Sequence, residues 1–336
     1  MTRGYARAMK QTKRIGVFLV GAMALAACGG GGSIAIGDLG DEIIAAQCAR
    51  YVRCGVYASE ELCRAAASAD LSALEQGVEA GRIRYDGEAA RECLDALAEA
   101  SCDTTTASAR KTPGACDEAI VGTVADGGAC YNSNECVSGS CNEPDTCNMA
   151  CCAGTCDPTV VEVAIGQSCA NAPCVEDAFC NDQDVCAALL AANAACQSDS
   201  QCGYGLMCAN DVCVASANRG EACADGDCAD LGDRCDGTSC VALSAVGGTC
   251  SSGFAGLFDC QRPYVCNQTT LKCEEPPTAG ESCQFFCAGN LFCNDDNECE
   301  APRANGAACT GNNECESNYC DETGASPVCG DQPVCG

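Results

Sequence analysis

A Gly-x-x-Cys motif recurs seven times after residue 126 and constrains this chain more than any other feature. The cysteines that close it are Cys130, Cys169, Cys196, Cys223, Cys250, Cys283 and Cys309. Six of them follow a glycine three residues earlier: Gly127, Gly166, Gly220, Gly247, Gly280 and Gly306. The exception carries Asn193, the residue that best replaces glycine where φ must be positive. Spacings of 39, 27, 27, 27, 33 and 26 residues give a period near 27 that drifts only in loops. Self-similarity at such a period marks an array of small units rather than one globular core.

Units this small cannot be stabilised by burial alone, and cross-links must substitute. The chain supplies 39 cysteines in 336 residues, with no Trp and only 4% aromatics. Cysteine at that density implies a disulfide framework in an oxidising compartment. With Cys28 set aside, 38 cysteines remain, enough for 19 bridges. The competing reading is zinc, but the sequence has no Cys-x-x-Cys pair and no histidine. Absence of histidine also excludes every His-dependent triad and histidine general base. Small hairpin modules offer no deep cleft, and no acidic pair stands out, so the expectation is a protein without enzymatic activity.

Residues 1–27 read as an export signal: five basic residues, then an apolar stretch from Ile15 to Ala27 too short to cross a bilayer. It ends in Leu25-Ala26-Ala27-Cys28, which resembles the bacterial lipobox. The resemblance implies signal-peptidase recognition through Leu25, Ala26 and Ala27, and a lipidated N-terminus at Cys28. Several acyl chains make a stable membrane anchor. A tether, Gly29-Gly30-Gly31-Gly32-Ser33, fills residues 28–37 with the lipidated cysteine. Lipoproteins retained in the inner membrane often carry Asp after that cysteine; Gly29 here points to the outer membrane or cell surface. The chain beyond it carries 47 acidic against 13 basic residues, a net charge of −34. Such a surface repels nucleic acid, and no nucleic-acid partner is expected.

Residues 38–125 have helical periodicity. Ile43, Ile44, Cys48, Tyr51 and Val52 share one face, and Gly55 is a fitting stop. Ser59 reads as the N-cap of a second helix, Leu71 and Leu74 mark a short third ending near Gly77 or Gly81, and Asp86 caps a fourth carrying Ala90, Cys93, Leu94 and Leu97. Six cysteines (Cys48, Cys54, Cys63, Cys93, Cys102 and Cys116) can staple this domain, with 15 connectivities open. Residues 103–115, rich in Thr and Ser, read as a loop.

Residues 126–336 form the seven-unit array. Each second half reads as a β-hairpin with a cysteine on both arms, clearest at Leu206-Met207-Cys208-Ala209-Asn210-Asp211-Val212-Cys213-Val214. The first unit adds Cys147 and the vicinal Cys151-Cys152, and the last adds Cys335; these odd counts suggest a bridge between units or to the helical domain. Cys309-x5-Cys315-x4-Cys320 and Cys130-x5-Cys136-x4-Cys141, each with Glu before the second cysteine, resemble the Dickkopf-type N-terminal cysteine-rich module. That resemblance implies an extracellular disulfide fold. The whole layout resembles a family of lipoproteins that some soil bacteria encode in many copies. The fold expected is a small disulfide-rich repeat array of short β-hairpins, preceded by a small disulfide-stapled α-helical domain and projecting outward from it.

Two features are candidates for binding. Asp182 and Asp184, and Asp295 and Asp296, concentrate oxygens at hairpin tips where calcium is conceivable; neither tip fits the EF-hand pattern, and turn chemistry explains both. No metal or other cofactor is therefore expected beyond the lipid. Phe254, Phe258, Phe285, Phe286 and Phe292 crowd into units five and six with Tyr264 among them. Either they form a partner-binding face or they are buried where the two units pack across Pro276-Pro277. The expected role is recognition of, or adhesion to, an extracellular protein or glycan. The alternatives are a protease-resistant envelope spacer, and a protease inhibitor or accessory protein.

Overall fold

In the computed structural model the described residues are 32–67, 69–142, 144, 152–223, 228–253, 255–283, 286–322, 324 and 326–331. The signal segment and Cys28 lie outside them.

The helical domain holds α1 (Leu39–Arg53), α2 (Glu60–Ala66), α3 (Ser72–Glu79) and α4 (Gly87–Glu99). Its punctuation follows the side chains. Gly55 ends α1 at φ 80. The Ser59 hydroxyl accepts the Leu62 amide at 3.2 Å to open α2. Asp86 accepts the Glu88 and Ala89 amides at 3.0 and 3.2 Å to open α4. Leu39, Ile43, Leu74, Ile83, Ala90 and Leu94 meet in one core. Of the 15 pairings the structure takes Cys48–Cys63, Cys54–Cys102 and Cys93–Cys116. A strand at Ile83–Tyr85 pairs antiparallel with one at Ile120–Gly122, joining the domain's middle to its end. The expected loop at 103–115 contains a short helix, Ala107–Arg110, and runs into another, Gly114–Ala119.

Each unit of the array repeats one wiring scheme. Its first cysteine bonds its third and its second bonds its fourth, as in Cys196–Cys208 and Cys202–Cys213. In the first unit these are Cys130–Cys141 and Cys136–Cys156, and in the last Cys309–Cys320 and Cys315–Cys329. The third and fourth cysteines face each other across a hairpin, for example Cys208 opposite Cys213 and Cys235 opposite Cys240. The hairpin brings two sulfurs together, and the opening turn and the second cysteine come up to meet them. Cys152 is disulfide-bonded as well, whereas Cys147, Cys151 and Cys335 lie outside the described residues.

The opening turn explains the motif. All seven residues three before the first cysteine have positive φ, from 67 at Asn193 to 89 at Gly306. The turn they make lets the backbone grip the fourth cysteine from both sides. The Gly166 amide donates to the Cys186 carbonyl at 2.8 Å, and the Cys186 amide donates to the Gln167 carbonyl at 2.9 Å. The same pair recurs at Asn193 and Cys213, Gly220 and Cys240, Gly247 and Cys273, Gly280 and Cys299, and Gly306 and Cys329. The residue six before the first cysteine lies beside the second cysteine as a parallel bridge: Leu190 beside Cys202, Ala217 beside Cys228, Ser244 beside Cys260.

Among the described residues, four units have the residue before the second cysteine turned inward to accept the amide that follows the first. Glu135 takes the Tyr131 amide at 2.9 Å, Gln201 the Gln197 amide at 2.7 Å, Asp259 the Ser251 amide at 2.7 Å and Glu314 the Thr310 amide at 3.1 Å. The three acids among them are each paired with an arginine. Glu135 is 1% exposed and meets Arg82 of the helical domain at 2.9 Å. Asp259 meets Arg234 of the preceding unit at 3.4 Å, and Glu314 meets Arg303 at 2.8 Å.

The array does not stand clear of the helical domain as expected. Units one to five all touch it, and residues 102–111 run along units four, three and two in that order. Leu231 donates to the Cys102 carbonyl at 2.9 Å and Thr104 to the Ala229 carbonyl at 2.8 Å. Gly205 donates to the Thr105 carbonyl at 2.9 Å, and Arg110 to the Cys202 carbonyl at 3.0 Å. Lys111 pairs with Glu176 and Asp177 at 3.2 and 3.1 Å. Unit five reaches the end of α1, where Arg262 donates to the Val56 carbonyl at 2.8 Å. Most of these bonds are made by backbone groups, so composition gave no sign of them. At this seam Asp230 pairs across a short bridge with Asp103. Burial, then the charges of Asp233 and Asp103, raise the Asp230 carboxyl above its ordinary range against the opposing pull of Arg219.

Candidate functional site

The aromatic residues of units five and six divide between the two readings. Phe292 is 6% exposed and covered by the Arg303 guanidinium 5.2 Å from its ring centre. Tyr264 packs on the unit-five cysteines Cys250, Cys260, Cys266 and Cys273. Phe258 and Phe286 remain 49% and 48% exposed. Phe254 and Phe285 lie outside the described residues.

Phe286 forms part of a groove of about 360 Å³ between the two units. It is also lined by residues of the unit-five hairpin, Val265, Cys266, Asn267 and Glu274, together with Leu257 and Gln268. Pro277 and Ser282, from the chain that leads into unit six, line it as well. Phe286 occupies the position before the second cysteine. Units one, three, five and seven put an inward-turned acceptor there; unit six puts an exposed ring at a groove.

The polar groups of the groove are held in place. Asn267 uses its side-chain carbonyl to accept the Thr269 and Thr270 amides at 2.9 and 3.1 Å, and its side-chain amide donates to Glu274 at 2.7 Å. The Thr270 hydroxyl donates to Glu274 at 2.6 Å. These two bonds, the hydroxyl first, hold the Glu274 carboxyl below its ordinary pKa, so it is charged at neutral pH. Glu275, next in the chain, is exposed on the same groove. The sequence reading missed Glu274, Glu275, Asn267 and Gln268. The pair of acids directly after the unit's last cysteine, ahead of Pro276-Pro277, was the available signal.

The other candidate residues take local roles. Asn181 accepts the Gln183 and Val185 amides at 3.0 and 3.1 Å, shaping the tip that carries Asp182 and Asp184. Asp182 accepts from the Gln197 side-chain amide at 3.0 Å, and Asp184 has φ 55. Asn294 plays the part of Asn181 at the tip with Asp295 and Asp296, accepting the Asp296 and Glu298 amides at 3.1 and 2.9 Å. Both tips are built by their asparagines as turns. Triplets of cysteine sulfurs lie within 4.8 Å of one another in several units, such as Cys250, Cys260 and Cys273. Each of these sulfurs is in a disulfide, so none offers a thiolate to a metal. Leu25, Ala26, Ala27 and Cys28 lie outside the described residues.

Fold and bridges together define a disulfide-stapled hairpin-repeat protein of an oxidising environment. No protein-family model, curated protein or solved structure matches the chain. Among the described residues no helix is long and apolar enough to cross a membrane.

Proposed function

We propose that this chain is a non-enzymatic, lipid-anchored protein of the bacterial cell envelope that recognises an extracellular protein or glycan through the groove between units five and six. The observation that carries the reading is Phe286, half-exposed on a mixed aromatic and polar groove whose walls are each fixed by two disulfides. Rigid walls reduce the ordering cost of binding, and an exposed aromatic supplies the contact area that interface hot spots use. Lipidation at Cys28, with sorting to the outer membrane or surface, would place the groove where partners are met.

Two experiments test the proposal. Intact mass of the native protein, before and after reduction and alkylation, should show an acylated N-terminus at Cys28, with 38 thiols appearing only on reduction. An unmodified N-terminus removes the anchor. Cross-linking on whole cells should capture a partner in the parent and lose it in Phe286→Ala. Equal capture by the correctly folded variant removes the recognition role and leaves the envelope-spacer alternative.

A further inference from the structure

We infer that the groove between units five and six binds a basic peptide segment, seating an arginine or lysine side chain between Glu275 and the Phe286 ring. The inference rests on the recognition reading above and specifies its partner. The reasoning comes from how this protein treats its own cations. In three places a cation sits between a carboxylate and an aromatic face. Arg82 lies against Glu135 with its guanidinium 5.0 Å from the Tyr131 ring centre. Lys111 lies against Glu176 and Asp177 and 5.1 Å from the Tyr204 ring centre. Arg303 lies against Glu300 and Glu314 and 5.2 Å from the Phe292 ring centre.

The groove offers the same two surroundings, carboxylates at Glu274 and Glu275 and the half-exposed ring of Phe286, and among the described residues no lysine or arginine lines it. Glu274 is already tied to Asn267 and Thr270, which leaves the exposed Glu275 as the carboxylate available to a newcomer. A cation over an aromatic face and beside a carboxylate gains from both, the more so as it is desolvated. The volume of about 360 Å³ suits one long side chain and its flanking residues. A net charge of −34 beyond the signal segment favours a basic partner at long range.

The test uses the full oxidised chain and a set of acetylated hexapeptides, each with one arginine among valine and alanine, read by fluorescence anisotropy. Citrulline counterparts keep the shape and remove the charge. Arginine peptides should bind at least about tenfold more tightly than citrulline ones, and added salt should weaken them. Glu275→Gln and Phe286→Ala should each lower the affinity about five- to tenfold with an unchanged disulfide map. Equal binding of both peptide sets, no binding by any arginine peptide, or indifference to Glu275→Gln would overturn the inference. A neutral oligosaccharide that binds in a Phe286-dependent, Glu275-independent way would overturn the cationic partner yet keep the recognition role. Whole-cell capture indifferent to Phe286→Ala would remove both.

Discussion

Replacing Gly166 with alanine isolates what the opening turn demands of the backbone. Gly166 stands at φ +87, and a Cβ built there meets nothing within 4 Å, so no clash contributes. The cost is that of the left-handed conformation itself, about 1–2 kcal/mol for a residue with a Cβ. The bridges Cys169–Cys180 and Cys174–Cys186 remain, so the unit stays cross-linked and the loss shows as local opening. The reporter is the Cys186 amide, which donates to Gln167 at 2.9 Å within the grip. Hydrogen exchange at that amide should quicken by about 5- to 30-fold, the equivalent of 1–2 kcal/mol. Gly166→Asn should recover most of the loss, because Asn193 holds the equivalent turn at φ 67. Unchanged exchange in Gly166→Ala, or equal damage from asparagine, would show that positive φ is not what the motif selects.

Three further outcomes are expected at the seam between helices and array. A Cβ on Gly232 would lie 1.7 Å from the Cys54 carbonyl oxygen, so Gly232→Ala should strip protection from the Leu231 and Thr104 amides, far beyond any effect at Gly166; retained protection would refute the close approach. Glu135→Ala leaves the Arg82 guanidinium, 18% exposed, without its carboxylate and should cost about 3 kcal/mol in denaturant unfolding. The Asp230 carboxyl is raised by burial and by Asp233 and Asp103. A raised folded pKa means the folded state binds the proton more tightly, so the seam is firmer in acid and loosens as pH rises through that value. Asp230→Asn should therefore protect Leu231 at pH 7 and make no difference at pH 3; equal protection of variant and parent at pH 7 would refute it.

Local features could be read in the sequence because their causes are local. Positive φ at Asn193, the caps at Ser59 and Asp86, and the Asn210-Asp211 turn at φ 51 and 60 all follow from one or two side chains. The pairing of first to third and second to fourth cysteine was not readable, since four cysteines in a unit allow three connectivities of similar spacing. The glutamate before the second cysteine was noticed only as a resemblance, yet Glu135 and Glu314 each hold a backbone amide and an arginine. Docking of five units on the helical domain relies largely on main-chain groups such as Thr104 and Leu231, which every residue carries. Among the described residues of the groove, only Phe286 lay in the aromatic cluster that the sequence singled out; Phe258, also exposed, does not line it. The buried Phe292, beneath the Arg303 guanidinium, belonged to the same cluster.

The parallel bridge beside the second cysteine of units such as three, four and five has a consequence for how the protein can change. From the fourth cysteine of units two, three and four the chain reaches the next bridge residue in four steps: Cys186 to Leu190, Cys213 to Ala217 and Cys240 to Ser244. The joint from unit one is longer, seven steps from Cys156 to Val163, and otherwise length varies in the loops between cysteines. An insertion at a hairpin tip is thus absorbed by its own unit, and the next unit begins where it would have begun. One residue added between Cys213 and Ala217 would instead turn the extended linker over and put every later unit out of phase with the helices. Drift of this repeat should accumulate at its tips, while its joints behave as fixed hinges of a folding ruler.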